Sequence, residues 1–353
     1  MKKTRFLLLL LPLILFTSCF EDKDTKKKNP YSETDNGLYV LCEGTGTDNN
    51  SALSYFNFKD STSVGDYFTE GLGKNANDMI SVGDNLYIAV TESACIWVVN
   101  KKTGKAVKRI ETIDSDGNNR MPRRLTYNDG YVYAACWDGN VIKISTTTNA
   151  IVANCPTNGR YPEGIAIANG KIYVANSGGK DYPNYDNTVA VIDMNTFSFE
   201  KHLTVLKNPQ TVKSYENKVY VLSTGDYSST YQLTVINNAE IEQQLQMNIT
   251  DFDFWQNRMY FFYTSVYSSP SSNKEFNFSY LNIDNMNAEP TIVQQYLVDG
   301  MVMPYHIIVM DNTIFITDAK NFTSSGDVFA LSTSGEILYK FPVLINPSKI
   351  VKK

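Results

Sequence analysis

One hairpin recurs along this chain. It appears as "ANDMISVGDNLYIAVT" from Ala76, "MPRRLTYNDGYVYAAC" from Met121, "YPEGIAIANGKIYVAN" from Tyr161, "NPQTVKSYENKVYVLS" from Asn208, "ITDFDFWQNRMYFFYT" from Ile249 and "MPYHIIVMDNTIFITD" from Met303. Each copy is an alternating strand, a tight turn built from Asn, Asp or Gly, and a second strand with an aromatic at one fixed place. Those anchors are Tyr87, Tyr133, Tyr173, Tyr220, Tyr260 and Phe315. A repeat of this size cannot bury its own apolar faces, so it must stack against its copies.

A seventh anchor, Tyr39 in "NGLYVLCEG", has no first strand in front of it. The missing strand is at the other end, where "INPSKIVKK", Ile345 to Lys353, repeats the start of the hairpin and stops. The C-terminus therefore completes the N-terminal unit and closes a ring, which removes exposed sheet edges. Third strands follow as "SALSYFN", "ACIWVVN", "NVIKIS", "NTVAVID", "YQLTVIN", "FNFSYLN" and "DVFALS", and turns such as "KKTGK" or "STSGE" lead to outer strands. The sequence predicts an all-β, seven-bladed β-propeller of four-stranded blades over residues 36–353.

In such blades, taking the strands as A to D from the axis outward, the A-to-B and C-to-D turns share one face. The B-to-C loops and D-to-A connections share the other. The first set is tight, whereas B-to-C loops are long in five blades: "EGTGTDNN", "NSGGKDYPNYDN", "STGDYSSTY", "YTSVYSSPSSNKE" and "DAKNFTSSGD". Long loops gathered on one face of a rigid scaffold are where recognition usually sits. Trp137, Tyr182, Tyr185, Tyr227, Tyr231, Tyr267 and Phe322 fall in the B-to-C connections, offering flat apolar area with a polar tip.

The D-to-A connections bring Arg160, Tyr161 and His306 to the same face, with Asn118, Arg120, Arg123, Lys207, Asn208, Tyr305 and Asn346. Arg and Asn there suit carbonyls, amides or a phosphate. The candidate ligand-binding set is Trp137, Arg160, Tyr161, Asn176, Tyr182, Tyr185, Tyr227, Tyr267, His306 and Phe322.

Catalysis finds little support in the sequence. There are two histidines, His202 in an outer strand and His306 at the start of an inner one, which excludes a histidine-rich metal site. No phosphate-binding glycine loop or serine elbow occurs. Asp181, Asp186, Asp318 and Asp327 lie in loops without EF-hand spacing, which leaves calcium open but unsupported. Binding without turnover is the expectation, with no metal and no resident cofactor. A net charge of -5 argues against nucleic acid held through its phosphates.

At the N-terminus, Lys2, Lys3 and Arg5 precede "FLLLLLPLILF" and then "TSC", the layout of a secretory signal. Thr17, Ser18 and Cys19 resemble the lipobox of bacterial lipoproteins, although Phe16 stands where Leu is usual. That resemblance implies a signal peptide over residues 1–18, acylation of Cys19 and a lipidated tether over residues 19–35. Glu21, Asp22 and Asp24 resemble the surface-export signal of lipoproteins from Gram-negative gut anaerobes, which implies an outer-membrane lipoprotein facing the medium. The spacing of Cys42, Cys95, Cys136 and Cys155 forms no zinc or redox motif, and buried free thiols are favoured over disulfides, with pairing left open.

The motifs P-x-x-[IV], G-x-[IV]-Y-[IV] and V-x-[VI]-[ID] in the three inner strands resemble the YncE-like propellers. The lipobox, the acidic stretch and "GLYVLCEGTGTDNNSALSYFN" resemble the cobalamin-binding BtuG-like lipoproteins. That resemblance implies a surface protein that captures cobalamin or another corrinoid and delivers it to an outer-membrane TonB-dependent transporter. The alternatives are a glycan- or protein-binding adhesion propeller, and a propeller lyase or hydrolase that would depend on His306.

Overall fold

The computed structural model describes residues 37–227, 231–265 and 275–353, and the expected signal, tether and Cys19 lie outside them. Seven four-stranded antiparallel sheets are arranged as blades around an axis. Six of them take their strands in chain order from the inside outward. The inner strands are Ala76–Val82, Pro122–Asn128, Pro162–Ala168, Pro209–Tyr215, Asp251–Trp255 and Pro304–Met310. The first blade instead takes Pro347–Lys352 as its inner strand, beside Gly37–Cys42, Ala52–Asn57 and Thr62–Val64. Tyr39 pairs with Val351, and Lys353 N–H donates to Gly37 O at 3.0 Å, so the two ends of the chain are stitched in one sheet.

The turns between inner and second strands follow from their residues. Five carry two successive positive-φ positions: Asp129–Gly130, Asn169–Gly170, Glu216–Asn217, Gln256–Asn257 and Asp311–Asn312. This is the two-residue turn whose twist matches an antiparallel hairpin, and it favours Asn, Asp and Gly.

The core consists of seven apolar seams, one between each pair of neighbouring blades. All seven anchors are at most 2% exposed. Burying an aromatic of that size stabilises by roughly 1.5–3 kcal/mol. Several anchors also reach the turn between the third and fourth strands of the next blade. Tyr39 OH donates to Lys101 O at 2.5 Å, Tyr87 OH donates to Asn149 Oδ1 at 2.5 Å, and Tyr173 OH accepts from Ala239 N–H at 3.0 Å. Phe315 has no hydroxyl and instead meets Phe58 of the first blade, with ring centroids 6.4 Å apart. The anchor therefore fixes the spacing of adjacent blades as well as filling the seam.

Cys42, Cys95, Cys136 and Cys155 are buried and unpaired, as favoured for thiols on strands. Burial pushes the Cys42 thiol up to about 12, so it is inert as a nucleophile at neutral pH.

Candidate functional site

The inner strands do more than line the axis. In six blades the pairing of the inner strand slips near its first residue, and the displaced residues are Asn77, Arg123 with Arg124, Glu163 with Gly164, Gln210, Tyr305 and Ser348. A bulge re-aims side chains away from the regular pleat. Here it builds a polar network at the end of the axis that faces the long loops. Glu163 takes both sides of that network: Arg123 Nε donates to Oε2 and Trp137 Nε1 donates to Oε1, each at 2.9 Å. Arg124 donates to Asn77 O, and Glu43 Oε2 accepts from Tyr305 OH at 3.2 Å and Asn346 Nδ2 at 2.9 Å.

Burial pushes the Glu43 carboxyl up, against the pull of Arg124 and Arg123. The neighbouring Glu43 charge, together with burial, raises the Tyr305 phenol far beyond its ordinary range.

Below this network lies an axial cavity of about 380 Å³. Its mouth is edged by Thr224, Tyr227 and Tyr231 from the long loop of the fifth blade, and its wall is formed by the starts of the inner strands. A second cavity of about 310 Å³ continues toward the opposite face, and the two share Ile165, Val212, Lys213, His306 and Lys349. Three cations line the upper cavity, each with acidic company. Lys213 Nζ lies 3.3 Å from Asp251 Oδ1, and Arg124 feels Asp78, Glu163 and Glu43. Lys349 Nζ lies 3.2 Å from Asp78 Oδ1, close enough for ionic attraction although off the hydrogen-bond direction. Compensated charge of this kind suits a neutral, hydrogen-bonding ligand better than an ion.

At the waist, His306 Nδ1 meets Asp251 Oδ2 at 2.7 Å. That carboxylate also accepts from Ile307 N–H at 3.1 Å. Burial works against the Asp251 charge, but Lys213 and His306 overcome it and hold the carboxyl well below its usual range. Burial pushes His306 down in spite of Asp251, so the imidazole is neutral at physiological pH.

The expected aromatic rim divides into two kinds of residue. Tyr182, Tyr185 and Tyr227 form a string, with edge-to-face contacts at 6.0 and 6.4 Å between successive centroids. Tyr182 is 74% exposed and Tyr227 is 49% exposed, and Tyr227 OH accepts from Gln210 Nε2 at 3.1 Å. Trp137 contacts Tyr161 edge-on at 6.3 Å, but Arg123 and Lys180 lie over its ring at 4.2 and 4.3 Å. Its face is thus already engaged by cations. Phe322 packs edge-on against Tyr305 at 5.6 Å.

Other expected residues shape the loops. Arg160 bridges to Asp181 and donates from Nη2 to Asn184 O at 2.9 Å, which folds the 177–187 loop over it. Asn176 is fully buried: its Nδ2 donates to Thr188 Oγ1 at 3.0 Å beneath Gly159, where a Cβ would clash with it. It is a scaffold residue and not part of the rim. Tyr267 lies outside the described residues.

The loop carboxylates weighed for calcium are engaged by protein donors. Asp186 accepts from the N–H groups of Asn187 and Thr188, Asp318 from those of Val302 and Met303, and Asp327 pairs with Lys320 at 3.0 Å. No cluster of metal-ligating side chains occurs among the described residues.

Several site residues were not singled out by sequence reasoning: Glu43, Asp78, Glu163, Gln210, Lys213, Asp251 and Lys349. Asp251 had a signal: aligned on the anchors, where Ile80 pairs with Tyr87 and Asp253 with Tyr260, it occupies the position of Asp78 in the second blade, so the repeat places a carboxylate there twice.

No family model matches this sequence, and no curated protein matches it. Solved structures do resemble the fold. A Bacteroides uniformis protein named as a candidate 6-phosphogluconolactonase superposes with a TM-score of 0.64 at 10% identity, covering 91% of this chain and 100% of that one. Hydrazine synthase of Kuenenia stuttgartiensis gives 0.55 at 13% identity over 71% of this chain and 74% of that one. The computationally designed Ika8 protein gives 0.51 at 13% identity over 81% and 76%. The chain is a seven-bladed β-propeller. At these identities the likenesses carry the fold alone, and a neighbour named as a lactonase means that the fold does not decide between binding and catalysis.

Proposed function

We propose that this protein is a non-catalytic surface lipoprotein that captures cobalamin or another corrinoid on its long-loop face and passes it to an outer-membrane TonB-dependent transporter. The observation that carries the reading is the string Tyr182, Tyr185 and Tyr227, exposed at both ends, beside an axial mouth of compensated charge. A corrin offers a broad apolar plane and a fringe of neutral amides. The tyrosines supply flat contact area, and Gln210, Thr224 and the network below supply amide partners. A macrocycle is too broad to descend into a cavity of about 380 Å³, so it would lie across the mouth.

The N-terminal sequence supports the address, since a lipid on Cys19 would tether the propeller at the membrane beside a transporter. The test is co-elution of cyanocobalamin with the purified protein on a sizing column. The red chromophore should travel with the protein peak, and complete separation sinks the corrinoid reading.

The pairing of an exposed Tyr227 ring with the Gln210 amide equally suits the face and hydroxyls of a sugar, which favours glycan adhesion as the second reading. A glycan array without a hit would remove it.

A further inference from the structure

His306 is buried to 8% exposure, lies on both axial cavities, and leaves one ring nitrogen, Nε2, without a hydrogen-bond partner among the described residues. A buried polar atom in that condition destabilises the fold unless something outside the protein satisfies it. The identity of the lone pair follows from the other side of the ring. Asp251 already receives N–H groups and faces the Lys213 ammonium, so it is an ionised carboxylate that can only accept. The hydrogen between Asp251 and His306 therefore belongs to Nδ1. In a neutral imidazole with Nδ1 protonated, Nε2 is a bare acceptor.

We propose that the axial cavity is a separate subsite for an uncharged, hydrogen-bond-donating group, a primary amide or a hydroxyl, which reaches down from a ligand on the rim and, as the side chains around the ring make way, donates to His306 Nε2, a nitrogen with almost no accessible surface in the unliganded protein. This inference rests on the capture reading for the body of the ligand and adds what enters the axis. The cavity's charges select against the alternatives. Lys213 and Lys349 are already engaged with Asp251 and Asp78, so an arriving carboxylate or phosphate would have to displace a protein acid and also meet the Nε2 lone pair. A cationic group would meet the two ammonium ions directly. A neutral amide or hydroxyl donates to Nε2 without disturbing either pair. A cavity of about 380 Å³ leaves room for one arm beneath a broad ligand.

The experiment uses the whole protein and two neutral probes, cyanocobalamin with its amides and maltotriose with its hydroxyls. Nitrogen-15 NMR of the His306 ring in the free protein should show Nδ1 protonated and Nε2 bare at pH 7. Nε2 protonated there overturns the proposal. Addition of a probe that binds should shift the Nε2 resonance, and His306→Leu should weaken that probe about tenfold while His306→Gln, which keeps an acceptor, recovers part of the loss.

Binding of cyanocobalamin with Nε2 silent and His306→Leu unaffected refutes the subsite and leaves the capture reading standing. Binding of maltotriose alone, with Nε2 shifted, refutes corrinoid capture and supports the subsite. An Nε2 resonance unmoved by both probes refutes the subsite. Melting of each variant under the same conditions separates loss of binding from loss of folding.

Discussion

Tyr173 and Tyr182 are the same residue nine positions apart, and the molecule uses them in opposite ways. Tyr173 is buried completely in the seam between the fourth and fifth blades, whereas Tyr182 stands 74% exposed in the adjoining loop. The first belongs to a set of seven equivalent positions, and the second lies in a loop whose length differs from blade to blade. Repetition in this fold marks positions that hold blades together, and departures from the repeat mark positions available for recognition.

Deleting an anchor should have the largest effect. Tyr173→Ala removes an aromatic from a filled seam and should cost ~3–5 kcal/mol in denaturant unfolding. Tyr173→Phe keeps the ring and loses the hydroxyl that accepts from Ala239 N–H, so it should cost only ~1 kcal/mol. The native Phe315 anchor shows that a ring alone can serve. Equal losses in the two variants would mean that the bond to the next blade, and not the filled seam, is what the anchor supplies.

The polar mouth should respond next. Arg123 and Glu163 side chains are 14% and 9% exposed, and Glu163→Ala strands the guanidinium and the Trp137 indole together. Leaving a largely buried charge without its partner should cost ~3 kcal/mol, read as a lowered Tm, with a change in Trp fluorescence. A loss below ~0.5 kcal/mol would show that water replaces Glu163 and that the mouth is looser than its bonds suggest.

The same region predicts a pH dependence. Glu43 has its carboxyl raised by burial, so it contributes stability that is fully present below its ordinary value of about 4.5 and is lost as pH rises through the folded value. Glu43→Gln should match the native protein at pH 4 and exceed it by ~1 kcal/mol at pH 7, seen by chemical denaturation at the two pH values. A variant less stable at both would mean that the ionised Glu43 is needed by Arg124.

The contrast also explains what could be read from the sequence. The blade count, the closing strand and the seven anchors were legible because each is stated seven times over at fixed offsets. The loop face and its exposed tyrosines were legible from the lengths of the loops. Asn176 was misplaced on that face because the end of a strand next to a long loop looks like the loop until its burial is known.

The charge network was not legible, since Glu43 meets Asn346 and Asp251 meets His306 across separations of 303 and 55 residues. Nothing local announces such pairs. The partial exception is Asp251, which stands at the repeat position that Asp78 holds in the second blade. Trp137 shows the converse: a loop aromatic that looked available is covered by Arg123 and Lys180.

The smallest effect on stability should come from Tyr182→Ala, and it tests the comparison from the other side. An exposed side chain in a loop contributes little to folding, so the change should stay within ~0.5 kcal/mol. Its ring is nevertheless the outer member of the string that reaches Tyr227 at the axial mouth. If that string is the contact surface, loss of one large aromatic should weaken ligand binding by ~1–2 kcal/mol, about tenfold, measured by titration calorimetry with whichever probe binds. Tyr127, 44% exposed and next to the turn on the opposite face, is the control: Tyr127→Ala should leave that affinity unchanged. If both substitutions weaken binding equally, the face with the long loops has no special claim. If only Tyr182→Ala does, two residues of one chemical type have been separated into scaffold and site by their place in the repeat.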